Sequence, residues 1–178
     1  MRIIKFLKTV LLIIELIIYV AYVHIEKLIF VGIIALDQYI KFRIVSTMNV
    51  GETVPIYPEI FHITYVLNPG AAFGILPHER AFLLGLSGVM LIFGVMIFSR
   101  IKKMHVLVKY GGIFAAAGAL GNMADRSRIG YVVDMFDLRN GFPVFNIADI
   151  SILIGLFMIT YYVFFKSEDS NDVKEVRQ

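Results

Sequence analysis

Four runs of this chain, residues 28–45, 81–99, 106–124 and 147–165, are mostly apolar and about as long as a bilayer is thick. A helix rises only ~1.5 Å per residue, so crossing the hydrocarbon takes about 20 apolar residues. Inside lipid every backbone N–H and C=O must find its partner within the segment, which leaves the helix as the conformation open to such runs. The choice of fold is thereby narrowed to a helical membrane bundle. Composition agrees, since 58% of the 178 residues are hydrophobic, only 17% are charged and the mean hydropathy is +0.78, more apolar than a soluble domain. With 15 Phe, 9 Tyr and no Trp, tyrosines are the expected interfacial anchors. A net charge of +3, scattered along the chain, argues against a nucleic-acid partner. The absence of cysteine excludes disulfides, thiolate metal sites, a cysteine nucleophile and anchoring through a lipidated cysteine of the chain itself.

Residues 1–27 begin like a signal peptide, with Arg2, Lys5 and Lys8 ahead of an apolar run. Glu15 interrupts that run, and "AYV" is a poor cleavage site, so the segment is expected to be retained. If it crossed the membrane, Arg2, Lys5 and Lys8 would be outside and Glu15 in hydrocarbon, both unfavourable. An extra helix along the membrane surface is the expectation. No repeat or linker divides residues 28–166, which read as one membrane domain, followed by a cytoplasmic tail at 167–178. Arg100, Lys102 and Lys103 crowd the short connection between the second and third runs, with Lys109 slightly deeper. That connection is therefore expected inside, and the 46–80 and 126–146 loops outside. The first outer loop alternates like a strand from Phe61 to Leu67 and breaks at Asn68-Pro69-Gly70. The second contains Val132 and Val133, suited to extended chain, and Asn140-Gly141, a strong hairpin signal. A turn there sets Arg139 opposite Phe142 and Asp134 opposite Ile147, although Pro143 weakens the ladder. Asp134 would then lie beside the start of the last run, about one helical turn from Asp149.

Acids are concentrated where ionisation is most costly, at the ends of oily runs, as in "GNMADRSRIGYVVD" and "FNIADISI". Gly111, Ala115, Gly118, Asn122 and Asp125 share one helical face, and small residues there let another helix approach closely. Asp37 and Lys41, four residues apart, are placed to pair. Asn146 and Asp149 share a face of the last helix. Three helices thus bring polar groups to one end of the bundle. Asp37 with Lys41 reads as a structural ion pair, Asp125 with Arg126 as a helix-end brace, and Asp137 and Arg139 as solvated loop residues. Asp134 and Asp149 resist such readings, because Asp149 has no basic neighbour in sequence and acids within a membrane are functional candidates by default. Two adjacent carboxylates share a proton, so one can activate water while the other protonates a leaving group, as in aspartic peptidases. The four histidines are dispersed without HExxH spacing, so no zinc site is expected. "GLSG" at 85–88 hints at a serine nucleophile but has no histidine at its depth to act as base. A non-enzymatic alternative, a small proton-coupled transporter, would place its acids near mid-membrane and show repeat symmetry. This sequence has neither.

Taken in order, "LDQYIKF", "NPGAAFGI", "GNMADRSRIGYVVDMFDL" and "FNIADISI" resemble the lipoprotein signal peptidases, the signal peptidase II family of bacteria. The resemblance implies an all-α membrane bundle with four transmembrane helices and a small extracytoplasmic β-sheet; the extra N-terminal helix falls outside it. It implies an aspartic endopeptidase of the bacterial cytoplasmic (inner) membrane, its active site facing outward. The expected substrates are diacylglyceryl-modified prolipoproteins, cut just before the lipidated cysteine, and membrane lipids are the other partners. No metal or cofactor is expected, and the protein is expected to be a monomer. By the same matching Asp134 and Asp149 are the catalytic dyad, Asn68 and Gly70 contact substrate backbone, Asn122, Arg126 and Asn146 surround the site, and Asp37, Lys41 and Asp125 support it.

Overall fold

The structure is a computed structural model that describes residues 2–70, 79–101 and 103–166. Helix α1 spans Arg2–Thr47 and leads into strands β1 (Thr53–Tyr57) and β2 (Phe61–Asn68). Helices α2 (Arg80–Arg100) and α3 (Val106–Ile129), strand β3 (Val132–Asp137) and helix α4 (Ile147–Phe165) follow. The expected tail at 167–178 and the "AAFGI" part of the second motif lie outside the described residues. Helices α2, α3 and α4 are each long and apolar enough to cross a membrane.

Residues 2–27 are not a separate helix; they run without interruption into the segment expected to be the first span. The physical reason is in the sequence. No glycine or proline occurs before Gly32, and sharp helix bends occur mostly at such residues. At ~1.5 Å per residue α1 is roughly 70 Å long, over twice the ~30 Å of hydrocarbon. Glu26 of α1 pairs with Lys109 in the first turn of α3, which ties the helix to the bundle about midway along.

Helix α3 is the hub, touching α1, α2 and α4. Its small-residue face is buried against α4. A Cβ added at Gly111 would lie 2.8 Å from the Gly155 carbonyl oxygen, one at Gly155 would lie 2.6 Å from the Ala115 nitrogen, and one at Gly118 would collide with the Ala148 carbonyl. Ser151 of α4 donates to the Phe114 carbonyl of α3 at 2.8 Å across the same contact. Backbones this close bring the start of α4 and the end of α3 together.

The three strands form one antiparallel sheet in the order β1-β2-β3. Asn68 pairs with Val132 and Val66 with Asp134, and a bulge precedes the pairing of Ile63 with Phe136. Tyr65, Val133 and Met135 form a small core against Ile40 and Ile44 in the last turns of α1 and Met48 just beyond it, so the sheet is seated on that end of the helix. The chain beyond β3 folds back so that Phe145 bridges Phe136 of β3, with N–H···O distances of 2.8 and 3.1 Å. This is the register that an Asn140-Gly141 turn implies. The turn itself differs: positive φ falls on Arg139 (56°) and Gly141 (82°), not on Asn140. A two-residue type I′ turn needs it at both central positions. The ladder stops after one bridge, as expected with Pro143 supplying no N–H.

Replacing Gly118 by Leu should therefore lower the melting temperature in detergent, overpacking of this kind typically costing about 1–3 kcal/mol. Gly94→Leu in α2, where a Cβ meets nothing within 4 Å, should leave it nearly unchanged. Equal melting temperatures for the two variants would mean that α3 and α4 are not in close contact.

Candidate active site

The ten residues singled out from the sequence come from five elements or their flanks and converge at one end of the bundle. Asp37 and Lys41 lie toward the C-terminal end of α1, and Asn122, Asp125 and Arg126 near the end of α3. Asp134 sits in the middle of β3, and Asn68 and Gly70 at and just beyond the end of β2. Asn146 caps α4. Its side-chain oxygen accepts from the Asp149 N–H at 2.9 Å, while the Asp149 carboxylate accepts from the Asn146 N–H at 3.2 Å. This reciprocal box satisfies two orphan donors and sets a carboxylate at the positive end of the helix dipole.

Both acids converge on Asn146. Its side-chain Nδ2 donates to Asp134 Oδ1 at 2.6 Å, and its backbone N–H reaches Asp149. The second oxygen of Asp134 accepts from Asn68 Nδ2 at 3.0 Å, and the other oxygen of Asp149 accepts from Asn122 Nδ2 at 2.8 Å. Asp134 is 1% exposed, and Asp149 is only partly buried. Burial pushes the Asp134 carboxyl up to about 7, and the neighbouring Asp149 charge pushes the same way. Hydrogen bonds from Asn68 and Asn146 and the charge of Lys41 pull it back. A carboxyl in this condition can hold a proton at neutral pH or release it, as acid–base chemistry requires.

Behind the acids, Lys41 lies 3.0 Å from Asp37 and 2.8 Å from Asp125, all three buried. Asp37 also takes the Ala148 N–H at 2.9 Å, joining α1 to the first turn of α4. Asp125 and Arg126 do not brace each other, contrary to expectation. Neighbouring residues on a helix diverge by about 100°. Asp125 faces Lys41 and Arg128, whereas Arg126 reaches out to the Gly70 carbonyl at 2.6 Å. Asp137 is not a solvated loop residue either. It is 8% exposed and held by the Thr64 hydroxyl at 3.0 Å and by Arg139. Ser87 lies on α2, which adds no group to this network.

Gln38 escaped the sequence reading. Its amide donates to Asp37 at 3.0 Å, to Asp125 at 3.1 Å and to the Gly121 carbonyl at 3.2 Å, and it accepts from Arg128. The only signal was its position inside "LDQYIKF", and its helical phase differs from that of Asp37. Among the described residues no group of His, Cys, Asp or Glu could hold a metal ion.

Residues 29–165 match the sequence family described as signal peptidase (SPase) II. The chain is 39% identical over 140 residues to a lipoprotein signal peptidase of Pelotomaculum thermopropionicum, covering 78% of this chain and 91% of that one. It is 38% identical over 143 residues to a lipoprotein signal peptidase of Clostridioides difficile, covering 79% and 96%. Among solved structures it is similar to one titled as a bacterial membrane enzyme determined by the in meso method at 2.3 Å resolution. The TM-score is 0.75 and the identity 33%, with 83% of this chain and 94% of that one covered.

The raised pKa of Asp134 makes a prediction about stability. Because the folded protein binds this proton more tightly than the unfolded chain, the associated stability is present below about pH 4 and is lost as pH rises towards 7. Asp134→Asn, which never ionises, should therefore melt above wild type at about pH 8, with a gap that shrinks towards about pH 4. A gap that is the same at both pH values would show that Asp134 titrates as an ordinary carboxyl.

Proposed function

The chain belongs to the signal peptidase II family and removes signal peptides from lipoproteins, and we propose that it does so as an aspartic endopeptidase acting through Asp134 and Asp149. The observation that carries this reading is the convergence of both carboxylates on the one Asn146 residue. Two acids so placed share a proton. The ionised member takes a proton from water as the water oxygen attacks the scissile carbonyl, and the protonated member gives its proton to the departing nitrogen. The C–N bond breaks, a carboxylic acid and an amine form, and the pair is ready to share one proton again. Asn68, whose oxygen accepts the Gly70 N–H at 2.9 Å, shapes a turn whose backbone borders Asp134 and is suited to hold substrate backbone. Arg126 secures that turn through Gly70, while Asn122 and Asn146 orient the acids, and Asp37, Lys41 and Asp125 support them from behind.

The protein is a membrane-embedded bacterial protease; its finer topology is part of the proposal. The C-terminal half of α1 is a fourth span, the site faces outward from the inner membrane, and the protein acts as a monomer. Residues before Glu26 continue the same helix on the inner side. The basic Arg2, Lys5 and Lys8 favour that side, and the Glu26–Lys109 pair beside the basic loop supports an inner boundary at that level. The substrate is a prolipoprotein already carrying diacylglycerol, cut before its modified cysteine. The lipid and the signal helix hold the scissile bond at the depth of the acids.

Incubation with a diacylglyceryl-modified prolipoprotein should release the signal peptide. Asp134→Asn and Asp149→Asn should each lower turnover at least about a hundredfold, the range of acid–base catalysis, while Ser87→Ala should leave it near wild type. An unlipidated precursor should be cut far more slowly. Full activity in either acid variant, or equal rates with and without the lipid, would overturn the corresponding part of this reading. Since the chain has no cysteine, topology can be tested with Ile4→Cys and a membrane-impermeant thiol reagent. Protection in intact cells, lost when the membrane is opened, is expected; labelling from outside would place the N-terminus across the membrane.

A further inference from the structure

Lys41 is 2% exposed and has three oxygens in reach: Asp37 Oδ2 at 3.0 Å, Asp125 Oδ2 at 2.8 Å and Asn122 Oδ1 at 2.9 Å. An ammonium carries three N–H donors and accepts nothing, so these contacts use it fully. The third partner is an amide, whose two ends are chemically opposite. Because Lys41 can only donate, the Asn122 oxygen must face it and the Asn122 NH₂ must point away. There it donates to Asp149 Oδ1 at 2.8 Å. The same Asn122 oxygen accepts from Asn146 Nδ2 at 3.2 Å, which fixes the second amide as well. That NH₂ also meets Asp134 Oδ1 at 2.6 Å, while the Asn146 oxygen takes the Asp149 N–H at 2.9 Å. With Asn122 turned over, an NH₂ would face the ammonium and an oxygen would face the Asp149 carboxylate. Both contacts would become repulsive. The orientation of donors on both acids is thus dictated from one buried cation.

We propose that Lys41 is a positioning residue for the reaction: by orienting Asn122, and Asn146 through it, it keeps a hydrogen-bond donor on each acid and fixes the pH at which the pair becomes active. This rests on the assignment of Asp134 and Asp149 as the acting pair. An ion-pair brace between α1 and α3 alone would be completed by any third acceptor, whereas an amide also turns a donor towards Asp149. The charged groups around Lys41 are Asp37 on α1, Asp125 and Arg126 on α3, Arg128 beyond Asp125, Asp149 on α4 and Asp134 on β3. The sign follows from electrostatics. Lys41 favours the ionised form of the nearby acids, as it does for Asp134. Its removal therefore makes the first ionisation harder, and the two carboxylates left beside it push the same way.

The test is the pH dependence of kcat/KM for a diacylglyceryl-modified prolipoprotein. In Lys41→Gln the acid limb should move to higher pH by about one unit or more, the size of shift that a close charge produces. Lys41→Arg, which retains the charge, should leave the limb in place. A folded Lys41→Gln with an unmoved or lowered limb would overturn the proposal and leave Lys41 a brace alone. Should Lys41→Gln fail to fold, Asn122→Leu leaves the contacts of Lys41 with Asp37 and Asp125 in place and cuts the link to the acids. Its limb should rise, and an unmoved limb there would be equally fatal. Activity retained by Asp134→Asn, measured alongside, would instead remove the dyad reading on which the proposal stands.

Discussion

A charge buried without a partner costs several kcal/mol, and the end of the bundle that holds the acids is organised around meeting that constraint. Lys41 lies on a helix that must face either lipid or protein, and its three N–H groups are satisfied only by groups on α1 and α3. Asp37 in turn takes a backbone N–H of α4. Three helices are thereby held in one relative position by a single ionic cluster. Shifting one of them by a turn would strand a charge in a medium that cannot solvate it.

That cluster forms only because the backbones approach closely. Gly111, Gly118 and Gly155 remove the side chains that would keep α3 and α4 apart. Membrane helices gain little from burying apolar surface against one another, so close packing and interhelical hydrogen bonds such as Ser151 to Phe114 carry the association. Close packing lower in the membrane thus brings Asn146 and Asp149 to Asn122. The sheet supplies the other acid. Seated on Ile40, Ile44 and Met48, it holds β3 where Asp134 faces the start of α4. The two acids therefore come from elements positioned by different forces, one by helix packing and one by a small apolar core.

Where the sequence misled, the cause was geometry that spacing does not encode. Asp125 and Arg126 looked like partners because they are adjacent, yet adjacency on a helix separates side chains. Asp137 looked like loop because Arg139 and the Asn140-Gly141 turn signal follow it closely. Its partner Thr64 is 73 residues away and meets it only through the pairing of β2 with β3. Gln38 was invisible because an uncharged amide shows its role only when both of its ends can be seen to be occupied.

The sequence by itself determined the helical bundle, since long apolar runs in lipid leave the backbone no other choice. It also determined the close face of α3, because glycine and alanine at helical spacing mark a contact whatever the partner is. The pairing of Asp37 with Lys41 and the register that brings Phe136 to Phe145 followed from local periodicity, which acts over a few residues. Only the tertiary structure decided that α1 is one helix of 46 residues, that Arg126 turns to Gly70, and that Lys41 is linked to both acids through two oriented amides. The physical reason is that amide polarity and long-range charge pairing depend on which groups meet in three dimensions.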